Sequence, residues 1–298
     1  MNCCNFNNKQ SYAGRVQLLS DKYNILQRKP ISKISFDEGG DCFMLDTLTL
    51  KFWEPFFKAV KINSGCPVKV VYGCPEGQTS IIHDDISKTK NVLVYGATGS
   101  GKSVFLHTLI KGASIFNTLE DVRLVLVDSK RVEFNQYKNS ELLLCPIINN
   151  GDELLAKTKE LINECHKRNE AIGDNSFEAI RKKNNQHFPY ILLVIDEYAV
   201  IANKELNNAL LELMKDGFKY GIHVVLSTQR ISSWVADIDF FKSFKTIICQ
   251  ANYDEKETRE LIGDYVELKG SGDSLVLKDG ELIRTQGLYT SYKFQKKI

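Results

Sequence analysis

The sequence predicts an α/β chain built on a central, mostly parallel sheet with helices covering both faces. Three observations carry that class. Five segments, NVLVYG, VRLVLVD, YILLVID, IHVVLST and KTIICQ, are near-continuous apolar, β-branched runs, the pattern of strands buried on both faces. Segments with helical spacing lie between most of them, and strands joined by helical crossovers run parallel. The chain has 298 residues, 43% hydrophobic and 26% charged, which suits one large domain with a small appendage.

Residues 1–75 mix short alternating segments with turn signals such as DEGGD and NSGCP. They are expected to form a small α+β appendage, with the aromatic stretch LKFWEPFFKAV docking it against the remainder, residues 76–298. From Val92 the pattern becomes regular. SVFLHTLIKGA follows the first strand at helical spacing. In DELLAKTKELINECHKRNEAI, Leu154, Leu155, Thr158, Leu161, Ile162 and Cys165 share one helix face. ELNNALLELMKDGFKYG is a further amphipathic helix that stops at glycine. Ligands of such sheets bind at the carboxyl ends of the strands.

The first strand runs into GATGSGKS, which fits G-x-x-x-x-G-K-[ST] with Gly96, Gly101, Lys102 and Ser103 at the fixed positions. Glycines allow the backbone to curl its N–H groups inward around phosphate oxygens, and the next helix offers its N-terminal dipole to the same anion. The expected nucleotide cradle is Gly96, Ala97, Thr98, Gly99, Ser100, Gly101, Lys102, Ser103 and Val104. Lys102 is expected on the β- and γ-phosphates of ATP, and the Ser103 hydroxyl on Mg2+.

YILLVIDEY ends its strand in Asp196 and Glu197. The aspartate is expected to orient Mg2+ through water, and the glutamate to activate the attacking water. IHVVLSTQR ends in Ser227, Thr228, Gln229 and Arg230, where Gln229 is a candidate sensor of the γ-phosphate. LVLVDSKR ends in Asp128, Ser129, Lys130 and Arg131; Asp128 reads equally as a functional or a structural residue. Arg168, in ECHKRNE, is either a cation offered to a neighbouring subunit's ATP or a charge complementing a helix C-terminus. His107, His166 and His223 lack metal-ligand spacing and read as packing or solvent residues.

From about Val68 to Ser291 the chain resembles the motor domain of FtsK/SpoIIIE-type DNA translocases, within the FtsK–HerA group. The resemblance rests on an ordered series: NVLVYGATGSGKSVFLHTLI, VRLVLVDSKRVEF, NECHKRNEAI, FPYILLVIDEYAVIA, YGIHVVLSTQR and GSGDSLVL. It implies a RecA-like P-loop ATPase core that assembles as a homo-oligomer, usually a hexameric ring, around double-stranded DNA. It also implies catalytic roles for Lys102, Glu197, Gln229 and Arg168. Three positions depart from the family pattern: Lys167 replaces the first arginine of a pair, Ser129 replaces the proline of Asp-Pro-Lys, and Ile231 replaces the proline after Thr-Gln-Arg. The sequence shows neither the winged-helix module nor the membrane anchor of chromosomal members, so a stand-alone motor of a mobile element is expected. Conjugative transfer is one expected setting, with a membrane or relaxase-type partner recruiting the motor.

Other classes are less compatible. A formal charge of +2 gives no global field for nucleic acid, so any basic surface is local. FEAIRKKNNQHF and SSWVADIDFFKSFK mix cations with aromatics and read as DNA-contacting loops or as solvated faces. No apolar run approaches the roughly twenty residues of a membrane span, and the N-terminus has no apolar signal core. Eight cysteines without a C-x-x-C pair read as free thiols in a reducing cytoplasm. A type VII secretion-like protein-transport ATPase shares the same core and remains an alternative, as does a nucleotide-gated adaptor that moves nothing.

Overall fold

The computed structural model describes residues 66–75, 81–115, 117–173, 175–181, 188–252 and 254–287. Residues 1–65, with the expected appendage and LKFWEPFFKAV, lie outside the described residues, as do residues 182–187 of FEAIRKKNNQHF.

All five anticipated strands form: β3 (Val92–Tyr95), β4 (Val122–Asp128), β5 (Tyr190–Asp196), β6 (Ile222–Thr228) and β7 (Thr246–Gln250). They pair in parallel in the order β7-β3-β6-β5-β4. Successive side chains of a strand point to opposite faces, so each strand feeds two cores. Leu93, Val125, Leu193 and Leu226 pack on one side with Leu154 and Leu161 of α3 (Gly151–Ile172) and Leu206, Leu210 and Leu213 of α5 (Lys204–Asp216). Val92, Leu124, Leu192 and Val225 face the other side with Leu106, Leu109 and Ile110 of α2 (Lys102–Ile115). The remaining helices are short: α1 (Ile86–Thr89), α4 (Phe177–Ile180), α6 (Ile238–Lys242) and α7 (Glu255–Ile262).

Helix ends follow local chemistry. Asn150 and Asn203 cap α3 and α5 by accepting from the N–H groups of Glu153 and Leu206, each at 2.9 Å, which satisfies otherwise orphaned donors. After α5 a 3-10 turn runs over Gly217–Tyr220 and stops at Gly221, φ +73°. A side chain there meets the Phe177 ring at 2.2 Å.

The sheet extends beyond the expected five strands. Strands β8 (Asp273–Lys278) and β9 (Glu281–Gln286) form a hairpin antiparallel to β7, and β1 (Lys69–Pro75) and β2 (Ile82–Asp85) complete nine strands among the described residues. The hairpin turns at Asp279-Gly280, both with positive φ, the backbone of a two-residue primed turn. Strand β1 pairs with β9 and places Val70 and Tyr72 in the α2-side core. The expected boundary at residue 75 therefore falls at the end of a sheet strand, and Lys69–Pro75 belongs with the main domain.

Asn91, just before β3, is 2% exposed. Its amide donates to the Met214 carbonyl of α5 at 3.0 Å and accepts from the Val224 N–H of β6 at 2.9 Å. One side chain thus locks a helix end to two strands.

Arg168 sits apart from the expectation of a cation offered to a neighbouring subunit. It is 1% exposed, because it continues the buried seam Leu154, Thr158, Leu161, Cys165, Arg168, Ile172 of α3. Its guanidinium donates to the carbonyls of Pro189 and Tyr220 at 2.8 Å each and to Glu164 at 2.9 Å. The Phe177 and Phe188 rings flank it at 5.7 and 5.5 Å. Pro189 precedes β5 and Tyr220 precedes β6, so Arg168 lies at the amino ends of the strands. That is one strand length, about 20 Å, from their carboxyl edge.

Two stability outcomes follow from these buried contacts. Asn91→Ala leaves a carbonyl and an N–H unpaired and is expected to lower unfolding free energy by about 2–4 kcal/mol. Arg168→Ala, which abandons two carbonyls, is expected to cost about 3 kcal/mol. Urea unfolding with unchanged m-value checks both; an Arg168→Ala chain as stable as wild type contradicts the buried clamp.

Candidate functional site

The phosphate loop joins β3 to α2, and its ends are fixed by neighbouring strands. The Gly96 N–H donates to Thr228 O at 3.3 Å, the Ala97 N–H to Ala251 O at 2.8 Å, and the Ser100 N–H to Ala97 O at 3.2 Å. The Ser100 hydroxyl reaches the Gln250 amide at 3.1 Å. Gly101 has φ +119°, and a Cβ there sits 2.9 Å from Gly272 N, so only glycine fits. The Gly272 N–H itself donates to Ser100 O at 2.7 Å. The GSGDSLVL segment thus buttresses the loop from the antiparallel side of the sheet.

Lys102 opens α2 and is 5% exposed. Its ammonium donates to the carbonyls of Gly96 at 2.8 Å and Ala97 at 3.0 Å. Burial depresses its pKa, and the Glu197 carboxylate, 3.7 Å away, opposes that shift. The first-turn N–H groups of α2 have no acceptor within the helix, and they face the same cleft as the lysine. Thr98 and Gly99 are exposed at the loop tip, whereas Ser103 and Val104 are half-buried.

The acids stand at the carboxyl end of β5. Asp196 is 3% exposed and accepts from the Ser227 hydroxyl of β6 at 2.6 Å. Burial pushes its pKa from 3.8 to about 6, against the Ser227 hydrogen bond. Glu197 adopts a left-handed backbone, φ +52°, which is uncommon for a residue with a Cβ. Its N–H donates to Ser227 at 3.2 Å. The turn directs its carboxylate toward the loop, where Oε2 accepts from Gln229 Nε2 at 2.7 Å and from Lys130 Nζ at 2.8 Å.

Gln229 bridges the two halves of the site. Its Oε1 accepts from the Thr98 hydroxyl at 2.9 Å while its Nε2 holds Glu197. This follows from strand order: β6 lies between β3 and β5, so a side chain at its end touches both neighbours.

Thr98, Gly99, Gly101, Lys102, Ser103 and Val104 line one cleft of about 550 Å³ with Asp196, Glu197 and Gln229. Gly96, Ala97 and Ser100 shape the loop from behind. Arg168 is not part of this group. Asp128 is structural: its carboxylate accepts from the N–H groups of Val132 at 3.2 Å and Phe134 at 2.9 Å. His107 and His223 are buried, as expected for packing residues. Sequence reasoning placed Lys130 only at a strand end; its contact with Glu197 depends on β4 lying beside β5, which no local pattern reveals.

Hard oxygen donors suit a magnesium ion, which keeps most of its shell as phosphate and water. Ser103 and Asp196 supply such donors in the cleft. Among the described residues no group of three or more His, Cys, Asp or Glu forms a dedicated metal cage. A hydroxyl and a carboxylate are donors that such an ion accepts.

Known proteins resemble this chain in sequence and in fold. The sequence pattern of the FtsK/SpoIIIE family matches residues 67–234. The chain is similar to DNA translocase FtsK of Staphylococcus epidermidis, 29% identical over 226 residues, covering 69% of this chain and 28% of that protein. It is likewise similar to DNA translocase SpoIIIE of Bacillus subtilis, 28% identical over 227 residues, covering 70% and 29%. The chain thus spans less than a third of the length of these relatives. In fold it is similar to the pCW3 conjugation coupling protein TcpA, with TM-score 0.65, 22% identity, and coverage of 75% of this chain and 66% of that one. EssC of Geobacillus thermodenitrificans gives TM-score 0.65 at 19% identity, covering 78% and 45%. These likenesses agree with an α/β RecA-like fold. The ordered motifs, the placement of β6 between loop and acids, and a family match across more than half the sequence lead to one conclusion: the chain belongs to the FtsK/SpoIIIE family.

Proposed function

We propose that this chain is an ATP-driven motor that moves double-stranded DNA. The observation carrying the reading is the meeting of Lys102, Glu197 and Gln229 at one phosphate loop. Lys102 and the loop amides bind the β- and γ-phosphates. Glu197 orients a water and takes its proton as the water oxygen bonds to the γ-phosphorus. The bond to the β–γ bridging oxygen breaks, and ADP leaves with that electron pair. Gln229, tied to both the loop and the acid, reports whether the γ-phosphate is present. Ser103 and, through water, Asp196 would hold Mg2+, which would neutralise charge on the phosphates.

The DNA assignment draws on the relatives, which are named DNA translocases. A setting in conjugative transfer, with a relaxase-type or membrane partner recruiting the motor, has only the fold likeness to TcpA beside it. We take the working form to be a homo-oligomeric ring, hexameric by family analogy, acting in the cytoplasm; no described helix is long and apolar enough to cross a membrane. Trp234 supports a local contact surface. It is 63% exposed with the Arg230 guanidinium 5.7 Å over its ring, although Phe240, Phe241 and Phe244 of the same segment are core. The secretion-type reading rests on likeness in fold alone.

ATPase turnover is expected to rise severalfold on adding double-stranded DNA, and less so at higher salt. Lys102→Ala and Glu197→Gln are each expected to reduce turnover by at least about a hundredfold. A rate indifferent to DNA in wild type overturns the cargo assignment.

Asp196 gives a pH test. Its folded-state pKa is raised, so the native state holds the proton more tightly than the unfolded chain. Its charge therefore costs stability above about pH 6, and the cost fades as pH falls below that value. Mg2+-dependent turnover is expected to fall on acidification with a midpoint below pH 6, because a bound cation favours the charged carboxylate. Asp196→Asn at pH 7.5 is expected to lose turnover yet gain about 1–2 kcal/mol of stability. Calorimetry and a pH–rate profile check the pair.

A further inference from the structure

We infer that Lys130 is a positioning residue that restrains Glu197, holding hydrolysis low until the 129–131 segment is displaced. The inference rests on the proposed hydrolytic role of Glu197, and four observations carry it. The Lys130 ammonium is 2.8 Å from Oε2, the same oxygen that Gln229 holds at 2.7 Å. Oε2 is thus occupied twice, and Oε1 faces the Lys102 ammonium at 3.7 Å. With Oε2 accepting twice and Oε1 facing Lys102, little of the carboxylate is open to a hydrogen bond from water.

The restraint comes from a segment built to move. Arg131 has φ +59°, a left-handed conformation that costs free energy in a residue with a side chain. The neighbouring Ser129 hydroxyl is buried without a hydrogen-bond partner, a state that rearrangement relieves. Beyond the segment, Asp128 pins Val132 N and Phe134 N, so motion is confined to the residues between strand and anchor.

The segment is also reachable. The Lys130 side chain is 47% exposed and Val132 is 70% exposed; Arg131 and Arg230 are exposed at the same carboxyl edge of the sheet. An arriving polyanion such as DNA competes for the Lys130 ammonium and frees the carboxylate. DNA addition and removal of Lys130 then converge on the same released Glu197.

The test compares unstimulated and DNA-stimulated ATPase kinetics of the wild-type chain, Lys130→Met and Lys130→Arg. Lys130→Met is expected to raise unstimulated kcat by about two- to fivefold, the worth of one half-exposed ion pair, with KM for ATP unchanged. Its DNA stimulation should shrink by the same factor. Lys130→Arg keeps the cation and should stay restrained. Because Lys130 is half-exposed, the variants are expected to unfold at the wild-type temperature, which calorimetry verifies. An unstimulated kcat that is unchanged or lower in Lys130→Met overturns the restraint, and a stimulation factor equal to wild type overturns the convergence on DNA. Wild-type turnover that ignores DNA instead defeats the cargo reading while leaving the unstimulated comparison decisive. Absence of turnover in every chain sinks both.

Discussion

Everything in the site depends on one strand standing between two others. Strand β6 separates the phosphate loop on β3 from the acids on β5, a gap of roughly two strand spacings, or about 10 Å. That spacing separates the backbones of the loop and the acid turn, while their side chains converge to 3.7 Å between Lys102 and Glu197. The chain Thr98–Gln229–Glu197 crosses the gap with hydrogen bonds of 2.9 and 2.7 Å. Were β5 directly beside β3, the acid would crowd the loop and the glutamine would have nothing to bridge. Parallel pairing of β3, β6 and β5 is therefore a condition of the chemistry as much as of the fold.

Charge is handled by concentration at that crossing. Lys102 and Asp196 are buried deeply enough that solvation penalises their charged forms. The protein tolerates this because each has partners: loop carbonyls for the ammonium, the Ser227 hydroxyl for the carboxylate. A buried acid with a raised pKa is a liability to the empty fold and an asset once a cation is near. The same trade appears in the left-handed turn at Glu197, where backbone strain aims a side chain.

Much of this was legible without coordinates, for physical reasons. Doubly buried strands must be apolar along their whole length, so β3 to β7 announce themselves; the loop must curl, so its glycines are fixed. The β8–β9 hairpin escaped because β9 is mostly half-exposed and its ELIRTQ has no continuous apolar run, although Asp279-Gly280 was a readable turn. Strand β1 was assigned to the appendage because its pairing partner, β9, lies far along the sequence, and local pattern carries no long-range register. Arg168 was hard to place for the opposite reason. Charge suggested a surface, yet its spacing from Leu154, Leu161 and Cys165 continued an apolar seam, and the seam prevailed because two carbonyls waited there.

The antiparallel extension has a mechanical meaning. Gly272 N–H holds the carbonyl of Ser100, Gly287 N–H holds Gly272 O, and β9 carries β1 as its neighbour. Tension applied at the start of β1 accordingly runs by shear through β9 into the backbone that shapes the phosphate loop. Whatever pulls on that edge of the sheet tugs on the glycine turn at the other side of β7.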